Sequence, residues 1–246
     1  MMFERIEMNI FELTFWEALF IESLLFILLL PIVLVFSVAF FVIKSSIKTK
    51  KSIFCVISTY RTVFSKARGL LRREGHSFFV IFSPFDLIFS SLNANAFFYK
   101  TIMISASWIE KLSLADPKWE LAFYHTIGHE LCHKTGEPKG SYSNSKSATF
   151  RNWVRECRAD YYGISFVLRH NLALCREEIL DDITMKAKHN TRKRDRSDSS
   201  HPTWRFRCDL LASHPSFDEN AIKHIARACK IEDESEINET VRLSKI

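Results

Sequence analysis

The sequence predicts an α+β fold, mainly helical, in which one N-terminal transmembrane helix precedes a domain with a small β-sheet. Three observations carry this expectation. Leu24 to Ile43 holds no charged residue, helical periodicity dominates the second half of the chain, and two short runs between them are rich in β-branched and aromatic residues. The 246 residues are 47% hydrophobic and 25% charged, with only 6 Gly and 6 Pro. That composition excludes collagen-like, low-complexity and wholly disordered chains, and argues against a turn-rich all-β fold.

The predicted anchor comes first. Twenty residues rising 1.5 Å each span about 30 Å, the thickness of a hydrocarbon core. Residues 1–23 form a short N-terminus carrying Glu4, Glu7, Glu12, Glu17 and Glu22 against Arg5, residues 24–43 the span, and residues 44–52 a basic linker with Lys44, Lys48, Lys50 and Lys51. Arg61, Lys66, Arg68, Arg72 and Arg73 extend the cationic side. Cationic flanks stay cytoplasmic, so the expected arrangement is a single-pass membrane protein whose domain, residues 53–246, faces the cytosol. A cleaved signal peptide would want a basic start and a shorter apolar core. The six cysteines form no Cys-x-x-Cys pair, so free thiols in a reducing compartment are expected.

Phe78–Phe82 and Thr101–Ser105 read as buried strands. After them Asp116 suits a helix N-cap and Pro117 the first helical position, with a helix expected to about Thr135, where Gly136 and Pro138 end it. Glu120, Tyr124, Ile127 and Leu131 form one stripe of that helix, mostly facing the core. Ala122, Thr126, His129 and His133 form another.

The second stripe contains His129-Glu130-Leu131-Cys132-His133. Two histidines at i and i+4 lie one turn apart on one face, so both imidazoles can hold one Zn²⁺. Glu130 lies beside them, off the ligand pair, placed to take a proton from water that zinc acidifies and pass it to a leaving amine. Composition alone yields about 0.02 chance matches to this pattern, so the motif carries weight. A catalytic zinc wants a third protein ligand and an open position. A Ser-rich loop leads into another helical stretch, capped by Ser147 or Thr149, with Arg155-Glu-Cys-Arg-Ala-Asp160 inside it. Glu156 is the expected third ligand, Asp160 being the alternative. One turn on, Asp160 is otherwise placed to accept the remaining N–H of a zinc histidine. Cys132 and Cys157 sit off the ligand faces and read as small core residues.

These residues resemble the zinc metallopeptidase family that includes HtpX and the CAAX prenyl proteases. The resemblance covers roughly residues 53–225 and rests on Asn95-Ala-Phe97 with the following strand and Trp108–Leu112, on His129–His133, on the Glu-x-x-Ala-Asp pattern at Glu156–Asp160, and on Ser200-His-Pro-Thr-Trp-Arg-Phe-Arg207. It implies a zincin-like metallopeptidase domain in which His129, His133 and Glu156 hold zinc, Glu130 is the general base, His201 hydrogen-bonds the tetrahedral oxyanion and Arg207 supports the site. His214-Pro-Ser216 is a competing copy of the His-Pro segment, but six residues on stands Asn220 instead of Arg. The chain departs from the family in showing one span instead of several, and Ser105-Ala-Ser-Trp108 replaces a Gly-rich turn.

The expected function is membrane-anchored, zinc-dependent endopeptidase activity on a protein or peptide substrate. A non-catalytic zinc-stabilised membrane scaffold or regulatory protein is the alternative. The bilayer is the expected partner of residues 24–43. Lys186 to Ser200 reads as a mobile, solvated loop, and without interleaved aromatics it gives no reason to expect nucleic acid. The tail is expected to form a packed helix from Ala221 and then, past acidic residues 232–236, a frayed end.

Overall fold

The computed structural model describes residues 32, 35–36, 38–76, 79–82, 94–97, 101–105, 107–114, 116–135, 145–191 and 197–244. Residues 38–49 are helical and turn at Lys50, whose φ is 53°. Ser52 then caps α1 (Ile53–Arg73), its hydroxyl accepting from the Cys55 amide. Val56, Val63, Ala67, Leu70 and Leu71 recur at helical spacing and bury one face. Gly75, at φ 78°, closes the helix in the left-handed region, with the His76 amide reaching back to the Leu71 carbonyl at 3.0 Å.

Three four-residue strands follow: β1 (Phe79–Phe82), β2 (Ala94–Phe97) and β3 (Thr101–Ile104). The order is β1-β3-β2, with β3 parallel to β1 and antiparallel to β2. On the central strand Ile102 and Ile104 are fully buried while Thr101 and Met103 are half-buried, the period-two pattern of a strand with one covered face. Helices make up the rest: α2 (Ser107–Leu112), α3 (Pro117–Cys132), α4 (Lys146–Arg169), α5 (Arg176–Thr191), α6 (Trp204–Ser213), α7 (Glu219–Ala228) and α8 (Glu234–Ser244). Trp108, Phe123, Phe64, Phe150, Phe166 and Leu71 anchor one main core. Trp108 meets the edges of Trp119 and Phe123 at ring distances of 6.5 and 5.4 Å.

Helices α3 and α4 share the largest interface, and two glycines let them meet. A Cβ on Gly163 would stand 2.7 Å from the His125 carbonyl oxygen and 2.9 Å from its ring; one on Gly128 would stand 2.8 Å from Phe166 Cβ. Neither contact is sterically permitted. This close approach sets the geometry of the site below.

The fold expectation needs correction. In place of an α+β domain behind an N-terminal transmembrane helix, the described chain is mainly helical, its strands are short, and no helix among the described residues is long and apolar enough to cross a membrane. Most of the N-terminal half of the expected 24–43 span lies outside the described residues. The part that is described does not stand apart from the domain. Phe41 and Val42 pack with Val56 and Ile109, and Lys44 and Lys48 both pair with the nearly buried Glu110. Residues 44–49, expected in a linker, continue the helix instead.

Three smaller expectations also shift. Ser145, not Ser147 or Thr149, caps α4, accepting from the Ala148 amide. The first residues of the expected solvated loop belong to α5, where Lys186 and Ala187 are buried; residues 192–196 lie outside the described residues. The acidic tail opens α8 instead of fraying, with Asp233 accepting from the Ser235 amide at 2.9 Å. Asp233, Glu234 and Glu236 thus place negative charge at a helix N-terminus, where the backbone dipole favours it.

Candidate metal centre

Helix α3 begins as its sequence dictates: the Asp116 carboxylate accepts from the Lys118 amide and Pro117 occupies the first turn. It ends at Cys132, with His133 as C-cap still in the right-handed helical region, φ −62° and ψ −13°. His129 and His133 therefore keep their one-turn relation, and their Nε2 atoms lie 3.1 Å apart. The expected Gly136 cap lies outside the described residues.

Helix α4 brings the carboxylate. Glu156 Oε2 lies 3.4 Å from His129 Nε2, and Glu156 Oε1 lies 3.4 Å from His133 Nε2. The three ligand atoms all fall within 4.8 Å of one another, and they form the one such group among the described residues. Burial opposes charge on the His129 ring, yet Asp160 and Glu156 outweigh burial and push it up to about 9. Burial also opposes charge on Glu156, but His129 and His133 hold its carboxyl well below the usual range. Two imidazoles and one carboxylate are a donor set that suits Zn²⁺, so these residues fit the ion the sequence implies.

Behind the ligands lies a buried polar chain. His129 Nδ1 lies 2.9 Å from Asp160 Oδ1, and Asp160 is 1% exposed. Arg207 Nε donates to Asp160 Oδ2 at 2.7 Å and its Nη2 to Oδ1. Burial alone would raise the Asp160 carboxyl; Arg207 and His129 reverse that and keep it ionised. An ionised Asp160 accepts from Nδ1–H of His129, which leaves the Nε2 lone pair for a metal. The Arg207 guanidinium is itself fixed over the Trp204 ring at 4.2 Å.

Glu130 is buried on α3. Burial raises its carboxyl above the ordinary carboxylate value, opposed by His129 and His133. A carboxyl shifted this way is better matched to proton transfer near neutral pH than an ordinary glutamate. His201 is half exposed, and its Nε2 stands 3.6 Å from Glu156 Oε1. Its rival His214 lies elsewhere, with Nε2 3.1 Å from His224 Nδ1 and its carbonyl accepting from the Tyr161 hydroxyl at 2.8 Å. Cys132 and Cys157 are buried free thiols, and burial pushes the Cys157 thiol well up.

The sequence reading missed two buried groups. Lys186 Nζ donates to Thr126 Oγ1 at 2.6 Å and lies 5.0 Å from the Trp204 ring centre. Burial, with Arg207 nearby, lowers its ammonium to about 7. His125 is fully enclosed, its Nε2 3.1 Å from the Asp160 carbonyl oxygen, and burial pulls it down to about 3. The available signal was the third histidine at i−4 from His129. No family model, curated protein or solved structure matches the chain.

Proposed function

We propose that the chain is a zinc-dependent endopeptidase acting on a protein or peptide substrate. The observation that carries this reading is the convergence of His129, His133 and Glu156 from two helices at one point, on the helix that also carries the buried Glu130. Zn²⁺ held there supplies Lewis acidity, polarising a scissile carbonyl and acidifying water. The remaining roles fall to the chain. Glu130 takes the water proton and delivers it to the departing amine. Asp160 and Arg207 hold His129 in the tautomer that leaves Nε2 free. His201, the half-exposed histidine beside Glu156, offers a hydrogen bond to the oxygen that gains charge in the transition state when its Nε2 carries a proton.

Support comes equally from what a merely structural zinc site would not need. A buried carboxyl directly following a ligand costs stability when it is charged, because burial disfavours its ionised form. The test is Glu130→Gln in the full chain, assayed on a broad peptide library with and without a chelator. The wild type is expected to show chelator-sensitive cleavage, and the variant to retain one zinc and lose cleavage. Cleavage that survives in Glu130→Gln removes Glu130 from its role. Absence of chelator-sensitive cleavage by the wild type overturns the reading.

A further inference from the structure

We infer that Asp198 and Ser200 form a hydrogen-bonded relay that fixes the tautomer and aim of His201 beside the candidate site. The relay rests on bond counting, independently of the proposed peptidase reading. Asp198 Oδ1 accepts from the Ser200 amide at 2.7 Å, from the His201 amide at 2.7 Å and from the Ser200 hydroxyl at 2.6 Å. Ser200 Oγ also lies 2.7 Å from His201 Nδ1.

An ionised carboxylate only accepts hydrogen bonds, and a serine hydroxyl has one proton to give. Three donors surround Asp198 Oδ1, and the Ser200 and His201 bonds hold the carboxyl below its ordinary value against the opposing effect of burial. The Ser200 proton is therefore committed to Asp198. Toward His201 the hydroxyl can only accept, so the imidazole proton sits on Nδ1. This leaves Nε2 as the atom that faces Glu156.

The loop is keyed to the same helix that supplies the carboxylate. Asn152 Nδ2 donates to the Ser199 carbonyl and Trp153 Nε1 to the Asp198 carbonyl, each at 2.9 Å. Asn152 and Trp153 lie one turn before Glu156 on α4. Residues at i−4 and i−3 share a side of the helix with Glu156, so helix and loop are held in register. A half-exposed imidazole without such a partner favours the Nε2–H form in water, so the structure demands the less usual tautomer.

The test uses the full chain with ¹⁵N-labelled histidine, at a pH where the ring is neutral, with the His201 signals identified by their loss in His201→Gln. Wild type is expected to show His201 protonated at Nδ1. Ser200→Ala is expected to move His201 toward Nε2–H, and Ser200→Thr, which keeps the hydroxyl, to restore Nδ1–H. A wild-type Nε2–H tautomer, or a tautomer unmoved by Ser200→Ala, overturns the relay. Should the wild type cleave nothing, the peptidase reading falls, while the ¹⁵N spectrum still decides the relay.

Discussion

Gly163→Ala and Gly69→Ala make the same chemical change in two helices, and the structure gives them opposite signs. At Gly163 the new methyl carbon would stand 2.7 Å from a backbone oxygen and 2.9 Å from the His125 ring, while at Gly69 nothing lies within 4 Å. An extra methyl forced into a packed interface costs about 1–3 kcal/mol. Replacing helical glycine by alanine returns about 1 kcal/mol. Because the Gly163 clash is with backbone, the upper end of the packing cost applies, and the net is about 2 kcal/mol of destabilisation. For a chain of this size that lowers Tm by about 4–8 °C, while Gly69→Ala raises it by about 2–4 °C. Gly163→Ala has a second effect, because the same helix pair carries the histidines and Glu156. Relief of the clash is expected to move α4 away from α3 and to weaken binding at the proposed zinc site. Thermal melts of both variants, with zinc affinity measured by competition against a chromophoric chelator, test this together. A Gly163→Ala protein that melts like the wild type and holds zinc as tightly would refute the close-approach argument.

Two further outcomes follow from buried polar groups. Asp160→Asn keeps all three proposed ligands but loses the charge that orients His129 and balances Arg207. Zinc affinity should fall about 10–100-fold, read by the same chelator competition. Lys186→Met should gain stability at pH 7, with the gain shrinking as pH approaches 10. Burial lowers the folded ammonium to about 7 from an ordinary 10.5. Between those values the unfolded chain holds a proton that the folded chain has lost, so wild-type stability rises with pH across that window. Below about 7 the whole penalty is present, and methionine removes it at the cost of the bond to Thr126. Urea melts of both proteins at several pH values test this, and an advantage that grows with pH would contradict it.

The parts of the site that were legible are those encoded at helical spacing. His129 and His133 at i and i+4, and Glu156 and Asp160 at i and i+4, needed no tertiary information beyond the expectation that two helices pack. What the sequence did not reveal depends on which surfaces meet. Lys186 opens a run of charged residues, which reads as solvated; Trp108, Trp204 and Thr126, arriving from other elements, enclose it. The α4 cap was ambiguous because the preceding loop offers several serines, and a shift of two residues costs nothing locally. The apolar run near the N-terminus satisfies a length criterion for a bilayer span. Length says nothing of Lys44 and Lys48 finding Glu110, which lies more than sixty residues away.

Asp160 receives its counter-charge from a residue 47 positions further along the chain. Until α6 arrives, an acid enclosed between two helices has no guanidinium to meet, and sequestering it alone is strongly disfavoured. The candidate site is therefore expected to be complete only once α6 has docked.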